Sequence, residues 1–358
     1  MSTYQDELKI SIDEKVSEKL KEMPNFSKKF FKHLENKGMS EKTILGYVYD
    51  LNTFFEYLEK EGFKDLRSCK ANDVLDKLTI EDIQEYLDNF KYYEVSNKKK
   101  SYSMSSKARR VSSLRSFYRF YYRIGEIKNN LADLIDMPKI PEREIKAMDP
   151  EQVGRVLEVV MDLDSLSKHQ RNYRQATLKR DYAIMMLFLG TGIRVSELVG
   201  LDIDDIDLHN ASLLVVRKGG DEDTVYFGNE VEQALIDYIK NEREEIAKKT
   251  NSPALFLSLQ ADRMSTRSIE KLVKDYAKRA EINFKVTPHT LRKTYGTNLY
   301  EETNDIYLVA TALHHSSVET TKKFYTKIGE SHKRTAAKHS SALFNNRKTR
   351  VKTRKKFF

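Results

Sequence analysis

The amino-acid sequence predicts a mainly α-helical protein with a small β-hairpin or sheet, organised as an all-helical N-terminal domain and a mixed α+β C-terminal domain. Apolar residues recur at three- and four-residue steps along most of the chain, which is the period of helices with one buried face. β-prone residues are concentrated at 213–216 and 224–227, with a glycine-containing turn at 218–221 between them. These two segments predict a hairpin.

The N-terminal third predicts helices and no strands. Residues 43–58, 80–87 and 111–121 each carry an apolar stripe at helical spacing. Residues 94–106 are polar, include three consecutive lysines and are predicted to form a loop. The stripe positions are Thr43, Ile44, Tyr47, Leu51, Phe54, Phe55 and Leu58, then Ile80, Ile83 and Leu87, then Val111, Leu114, Tyr118 and Tyr121.

Three prolines mark the expected domain boundary. Pro138, Pro141 and Pro150 surround a charged stretch, and a proline removes a backbone donor and disfavours helix in the residue before it. The expected organisation is an N-terminal arm at 1–25, a helical domain at 26–137, a linker at 138–150, a second domain at 151–328, and a C-terminal segment with a basic tail at 329–358.

The composition favours a polyanionic partner. The 358 residues include 63 Lys and Arg against 54 Asp and Glu, a net charge of +9, and such an excess favours nucleic acid. Cys69 is the only cysteine, which excludes an internal disulfide and fits a cytoplasmic location. The N-terminus lacks the pattern of a secretory signal, and no stretch approaches the roughly 18 apolar residues of a membrane span. No membrane partner is therefore expected.

Two basic residues lie at a predicted helix start. Thr287 is a capping residue type and Pro288 suits the first helical position. His289 and Arg292 are three residues apart and share one face of that helix, where the backbone amides already favour an anion. An arginine fork matches two phosphate oxygens. An ordinary surface histidine and a solvated arginine remain the alternative from these residues alone.

A second candidate pair follows a helix break. Gly192 permits unusual backbone angles, so that Arg194 can point inward, and Glu197 is close enough to orient its guanidinium. Lys218, in the hairpin turn, could reach a leaving oxygen and donate a proton. The alternatives are a simple helix stop with an exposed arginine, and an ordinary turn lysine.

The third group lies near the C-terminus. Ser316 and Glu319 have capping-box spacing, which predicts a helix start directly after His315, with Tyr325 about two turns into the helix. A tyrosine hydroxyl needs nearby cations to become a nucleophile near pH 7. A metal site made of His289, His314 and His315 lacks a carboxylate at ligand spacing, so no metal or other cofactor is expected.

Three stretches together resemble the tyrosine recombinase (phage integrase) family, and particularly its Xer-like members. They are Gly190-Thr191-Gly192-Ile193-Arg194-Val195-Ser196-Glu197-Leu198, Pro288-His289-Thr290-Leu291-Arg292-Lys293-Thr294, and Leu313-His314-His315-Ser316-Ser317-Val318-Glu319-Thr320-Thr321 followed by Tyr325. Their order, with a hairpin lysine between the first two, is what makes the resemblance specific. It covers residues 26–328.

The resemblance implies a metal- and ATP-independent, site-specific DNA strand transfer. Arg194 and Arg292 would hold the scissile phosphate, with Glu197 supporting the arginines. His289 and His315 would contact its oxygens, Lys218 would protonate the 5′-hydroxyl, and Tyr325 would attack to give a 3′-phosphotyrosyl link. The biological role implied is dimer resolution or the integration and excision of a mobile element.

The same resemblance makes residues 26–137 a SAM-like core-binding domain that clamps double-stranded DNA. Family members act as tetramers on two duplexes, exchange a C-terminal segment and in some systems use accessory proteins. Ala336, Ala337, Leu343 and Phe344 are the candidates for that segment. The candidate DNA-binding residues are Arg109, Arg110, Arg115, Arg119 and Arg123.

Two departures from the family pattern bear on the site. His314 stands where the family usually has glycine, and Tyr325 comes one residue later than usual, so that Phe324 occupies the usual position. Two alternative functions stay open: a type IB topoisomerase-like nicking and resealing enzyme, and a catalytically inactive helical DNA-binding protein.

Overall fold

A computed structural model of the chain describes residues 4–89, 92–95, 98–140, 146–164, 167–217, 220–314 and 319. The chain divides into two compact units, Met1–Arg143 and Glu144–Phe358. The division falls in the stretch expected to be a linker. Within the described ranges, no helix is both long and apolar enough to cross a bilayer.

The N-terminal unit is mainly helical, and the three helices that apolar stripes predict are confirmed as α3, α5 and α6. At the start of α6, the Ser103 side chain accepts a hydrogen bond from the backbone NH of Ser106 and caps the helix. The described helices are α1 (Tyr4–Glu22), α2 (Ser27–Asn36), α3 (Glu41–Lys60), α4 (Ala71–Leu75), α5 (Ile80–Asn89) and α6 (Met104–Arg123), and a 3₁₀ turn spans Leu131–Leu134.

The prediction that this unit contains no strand is wrong. Strands β1 (Tyr92–Val95) and β2 (Lys98–Ser101) form an antiparallel hairpin that begins just before the stretch expected to be a loop, 94–106, and continues into it, with Val95 paired to Lys98. Backbone pairing makes this hairpin, and the lysine-rich β2 has no alternation of apolar and polar residues that would have revealed it.

Aromatic rings form the centre of the N-terminal core. Phe30, Phe54 and Phe117 are at most 1% exposed, and Phe30 and Phe117 meet edge to face with their ring centroids 5.1 Å apart. Such edge-on pairs add to the free energy gained from burial alone. Residues 4–22, part of the expected arm, form helix α1, which packs Ile12 and Val16 into the same core.

The C-terminal unit combines helices with a small antiparallel sheet, which confirms the mixed fold class. Helix α8 lies inside a polar stretch with no apolar stripe, and the sheet has a third strand beside the predicted hairpin. The elements are α7 (Pro150–Met161), α8 (Lys168–Gln175), α9 (Leu178–Thr191), α10 (Val195–Gly200), β3 (Ile206–Asp207), β4 (Ser212–Val216), β5 (Glu222–Tyr226), α11 (Asn229–Tyr238), α12 (Glu244–Ala247), α13 (Thr266–Arg279), α14 (Pro288–Thr303) and α15 (Ile306–Ala312), with a π-helical turn at Ile239–Arg243.

Helix α9 is the central element of this unit and packs against α7, α11 and α14. Its Ile184, Leu187 and Phe188 are completely buried. A Cβ at Gly190 would lie 2.5 Å from Cγ2 of Val231, so glycine permits the close approach of α9 and α11. This packing brings the end of α9 close to α14, where the second arginine motif lies.

The sheet has the order β3-β4-β5, with Leu213 opposite Val225 and Val216 opposite Glu222. Leu213 and Val215 are buried, so alternate positions along β4 face the interior. The next position with the same orientation is Arg217, at the base of the hairpin turn.

Candidate active site

Helix α14 begins as its sequence predicts. The Thr287 hydroxyl accepts a hydrogen bond from the backbone NH of Thr290 at 3.2 Å. Pro288 occupies the first helical position, where its missing NH leaves no partner unsatisfied. In the following turn, His289 is exposed whereas Arg292 is only 4% exposed. The two residues thus meet solvent to very different degrees.

Arg292 is anchored by backbone carbonyls of two other segments. Its Nη1 donates to the carbonyl of Gly192 at 2.6 Å, and its Nη2 donates to the carbonyl of Leu313. Gly192 ends α9 with a φ of +63°, and a Cβ there would lie 2.5 Å from Cδ1 of Tyr295 and 2.9 Å from Cδ2 of Leu313. Glycine is therefore required for this carbonyl to lie against Arg292.

Arg194 and Glu197 hold each other at the start of α10. The Glu197 carboxylate accepts from the backbone NH of Arg194 at 2.8 Å and from its Nη1 at 2.7 Å. The carboxylate is 3% exposed, while the Arg194 side chain is 37% exposed. Glu197 thus fixes a guanidinium that still reaches solvent, as a residue supporting that arginine must.

Two further charged residues complete this network, and sequence reasoning missed both. Arg217 donates from Nη1 to Oε2 of Glu197 at 2.8 Å, and from Nη2 and Nε to Oδ2 of Asp223 at 2.7 and 3.0 Å. Arg217 is 5% exposed. The alternation of buried residues along β4 was the signal that could have found it, because it places Arg217 on the inward face.

The Glu197 carboxylate is stabilised in its charged form. Burial raises its pKa, but the hydrogen bonds from the Arg194 backbone and side chain and the charge of Arg217 outweigh burial, so that the pKa lies below its usual value. The carboxylate is thus ionised at neutral pH and balances part of the positive charge of the two arginines.

Both arginine motifs meet the third motif at one dipeptide. Nη2 of Arg194 donates to the carbonyl of His314 at 3.4 Å, next to the Leu313 carbonyl that Arg292 contacts. His314 has a φ of +46°, a conformation that favours glycine, which is the residue the family usually has there. Its Nδ1 lies 3.3 Å from Oδ2 of Asp223.

Positive charge surrounds His289. Although the residue as a whole is exposed, the protein covers part of its ring; this partial desolvation lowers the pKa of His289, and the charges of Lys293, Arg292 and Arg194 lower it further. Lys293 is one turn further along α14, and burial lowers its own pKa to about 8. His289 is therefore neutral at pH 7, so that one ring nitrogen can donate a hydrogen bond and the other can accept one.

Lys218, His315 and Tyr325 lie outside the described residues, as does the predicted helix start around Ser316. The structure therefore brings together Arg194, Glu197, Arg292 and His289 of the predicted set. Among the residues it describes, no three His, Cys, Asp or Glu side chains form a group that could hold a metal ion.

The candidate DNA-binding arginines of α6 differ in their surroundings. Arg109 donates to Asp50 at 2.6 Å, and Arg110, 8% exposed, lies 4.3 Å from the centre of the Tyr102 ring. Arg115 donates to carbonyls of the following 3₁₀ turn. Arg119 pairs with Asp133 and is 58% exposed, and Arg123 is exposed. Arg109, Arg119 and Arg123 are thus exposed, whereas Arg110 is buried.

Residues 148–332 match the model of the phage integrase family, and residues 28–125 match the phage integrase N-terminal SAM-like domain. The chain belongs to the phage integrase family and is an enzyme of its tyrosine site-specific recombinase class. The resemblance found in the three motifs is thereby confirmed.

Individual relatives span most of the chain. The tyrosine recombinase XerC of Anoxybacillus flavithermus is 32% identical over 314 residues, which are 87% of this chain and 95% of the relative. The tyrosine recombinase XerD of Staphylococcus haemolyticus is 33% identical over 294 residues, which are 82% of this chain and 90% of the relative. The crystal structure of the XerH site-specific recombinase bound to palindromic difH substrate, in a post-cleavage complex, shares the fold with a TM-score of 0.60 at 20% identity, over 81% of this chain and 78% of that one.

Proposed function

We propose that this recombinase cuts and rejoins DNA through Tyr325. The tyrosine oxygen attacks the scissile phosphorus, and the bond from phosphorus to the 5′-oxygen breaks. The products are a 3′-phosphotyrosyl link and a free 5′-hydroxyl. Attack by the 5′-hydroxyl of a partner strand on the same phosphorus restores a phosphodiester and releases the tyrosine. One ester replaces another in each step, so the proposal needs no ATP.

The convergence of Arg194 and Arg292 on Leu313 and His314 is the observation that carries this proposal. It brings two guanidinium groups to the first two residues of the motif that continues to His315 and Tyr325. Guanidinium groups fixed before the reaction stabilise the extra negative charge that develops on a pentavalent phosphorus. Arg194 is the more accessible of the pair and is proposed to meet the phosphate first.

The roles proposed for His289, His315 and Lys218 are those that the family resemblance implies. Neutral His289 is proposed to donate a hydrogen bond to a nonbridging oxygen, and His315 to assist it. Lys218 is proposed to protonate the departing 5′-oxygen, since the hairpin turn joins β4 and β5 beside the arginine network. No step in this sequence uses a metal ion.

Tyr325→Phe tests the nucleophile. The variant is expected to bind DNA with the affinity of the original protein and to form no covalent adduct, measured by denaturing gel electrophoresis after incubation with nicked DNA. Fragments from the genomic surroundings of the gene serve as the first substrates, and the captured cut sites map the target.

Tyr307→Phe is the matched control, because Tyr307 is 69% exposed on α15 and precedes the third motif. It is expected to form the adduct normally. An adduct formed by Tyr325→Phe would show that another residue is the nucleophile. Binding without any adduct from the original protein would favour the inactive DNA-binding protein, and relaxation of supercoils by a monomer would favour the topoisomerase-like enzyme.

We also propose that the protein acts as a tetramer on two DNA duplexes and exchanges its C-terminal segment between subunits. The apolar residues Ala336, Ala337, Leu343 and Phe344 support this, since they lie in a mainly polar and basic tail. Truncation after residue 328 should abolish cooperative assembly on DNA, measured by analytical ultracentrifugation. Assembly that survives the truncation would contradict the exchange.

The proposed setting is the cytoplasm, supported by the DNA substrate and the single cysteine. Dimer resolution and element mobility use the same chemistry. The position of the captured cut sites separates them, because a resolution site is a fixed chromosomal locus and an element carries its sites at its own ends. Adding or omitting cell extract tests for accessory proteins.

A further inference from the structure

One carboxylate joins the hairpin to His314, the second residue of the third motif. Asp223 lies on β5, and its Oδ2 accepts two hydrogen bonds from Arg217, at 2.7 and 3.0 Å. The same oxygen lies 3.3 Å from Nδ1 of His314. Arg217, at the base of the hairpin, and His314, after the end of α15, therefore contact the same oxygen atom of Asp223.

Burial separates the Arg217 part of this cluster from an ordinary surface ion pair, whereas the side chains of Asp223 and His314 are 33% and 52% exposed. The Arg217 side chain is 5% exposed, and its remaining contact is with Glu197, which is 3% exposed and holds Arg194. A continuous series of polar contacts thus runs from Arg194 through Glu197 and Arg217 to Asp223 and His314. Close buried charge pairs are costly to break, because the partner left behind remains desolvated.

His314 is held at three points. Its backbone NH donates to the carbonyl of Thr311 at 2.8 Å, its carbonyl accepts from Arg194, and its ring contacts Asp223. Its positive φ is unfavourable for a residue with a side chain and persists only when surrounding contacts compensate for it. The contact with Asp223 is such a contact, and it requires the side chain that glycine would lack.

We propose that Asp223 is a positioning residue for DNA strand cleavage. Through Arg217 it fixes the base of the hairpin whose turn contains Lys218, and through His314 it fixes the start of the segment that contains His315 and Tyr325. Asp223 thereby links the residue before Lys218 to the residue before His315, so its loss is expected to affect both the proposed proton donor and the proposed nucleophile. The inference rests on the proposed function, because that function assigns the roles of Lys218 and Tyr325.

Asp223→Asn and His314→Gly remove the two sides of the contact. Glycine adopts a positive φ without strain, so His314→Gly removes the ring while the backbone conformation stays accessible. Each variant should slow the rate constant of covalent adduct formation on the order of ten- to a hundredfold with saturating protein, since small misplacements of reacting groups have effects of this size. The dissociation constant for DNA should stay unchanged.

The double variant separates coupling from two independent effects. If the two residues act through one contact, the double variant is no slower than the worse single variant. The proposal would be overturned if the rate loss of the double variant equalled the product of the two single losses. It would also be overturned if the variants bound DNA more weakly but formed the adduct at the original rate. Asp164→Asn is the matched control, since the Asp164 side chain is 99% exposed and its contact with Arg171 is on the surface.

Hydrogen–deuterium exchange on the full-length protein without DNA tests the positioning independently of catalysis. Asp223→Asn and His314→Gly should both increase exchange in peptides that cover 218–221 and in those that cover 315–325, whereas Asp164→Asn should change neither. Unchanged exchange in both regions would exclude the proposed link even if cleavage proceeds. If exchange increases in the two variants but the original protein forms no adduct, the link is supported and the proposed function is contradicted.

Discussion

Arg194 and Arg292 donate hydrogen bonds to adjacent backbone carbonyls, those of His314 and Leu313. Arg194 directly precedes α10 and Arg292 lies in α14, yet they contact the first two residues of the third motif. A carbonyl carries only a partial negative charge, whereas a phosphodiester carries a full one. A bound phosphate can therefore compete for these donors, and the position of the third motif is tied to how the arginines are engaged.

Glu197→Ala is expected to destabilise the protein by about 3–5 kcal/mol at pH 7, since it leaves Arg194 and the buried Arg217 without their shared carboxylate. Urea unfolding followed by circular dichroism measures this. The folded-state pKa of Glu197 is lowered, so its stabilising contribution is present above the unfolded pKa of about 4.3 and is lost as pH falls through the lower folded value.

Glu245→Ala is the control for Glu197, because Glu245 pairs with Lys248 on the surface, where the two side chains are 67% and 66% exposed. Exposed pairs contribute at most about 1 kcal/mol. An equal loss from the two variants, or a Glu197→Ala deficit that persists unchanged at pH 3, would contradict the stabilising role of the Glu197 charge.

Gly192→Ala is expected to cost about 1–3 kcal/mol and to reduce adduct formation strongly. The new Cβ is strained at a φ of +63° and meets Tyr295 and Leu313, so that the carbonyl held by Arg292 is displaced. Thermal unfolding and the adduct assay measure the two effects. Gly125→Ala shares a positive φ, +71°, but has no atom within 4 Å of the new Cβ, and it should retain full adduct formation.

Lys293→Met should raise the pKa of His289, because Lys293 is the first of the charges that lower it. If neutral His289 is the active form, the acid limb of the pH–rate profile lies below pH 6.5 in the original protein and moves to higher pH in the variant. The adduct rate between pH 5 and 8 measures this shift. A limb that stays in place would show that another group controls it.

Arg123→Gln should affect DNA binding, whereas Arg110→Gln should affect the stability of the fold. Exposed Arg123 is expected to contact a DNA phosphate, so its loss should weaken binding and reduce the salt dependence by about one unit of slope. Buried Arg110 lies 3.8 Å from Asp50 and against Tyr102, so its loss should lower stability and leave the slope unchanged. Fluorescence anisotropy over a range of salt concentrations distinguishes them.

Local signals in the sequence were enough for most of the fold. Apolar stripes at helical spacing predicted α3, α5 and α6, and Thr287 with Pro288 predicted the start of α14, since capping and periodicity depend only on neighbouring residues. Strands β1 and β2 and helix α8 were not predicted, because their sequences lack such local signals. Strand β2 and helix α8 are almost entirely polar, and the short β1, Tyr-Tyr-Glu-Val, has no alternation of apolar and polar residues.

By itself, the sequence determined the fold class, the order of the three motifs and the identity of Arg194, His289 and Arg292 as candidates. The tertiary structure alone decided what anchors the two arginines. Arg292 donates to the carbonyls of Gly192 and Leu313, and Arg194 donates to the carbonyl of His314 and to Glu197, which the Arg217–Asp223 pair holds. Every residue has a backbone carbonyl, so nothing in a sequence singles out the few that accept from an arginine. That choice is made when α9, α14 and α15 pack, and it depends on contacts between residues far apart in the chain.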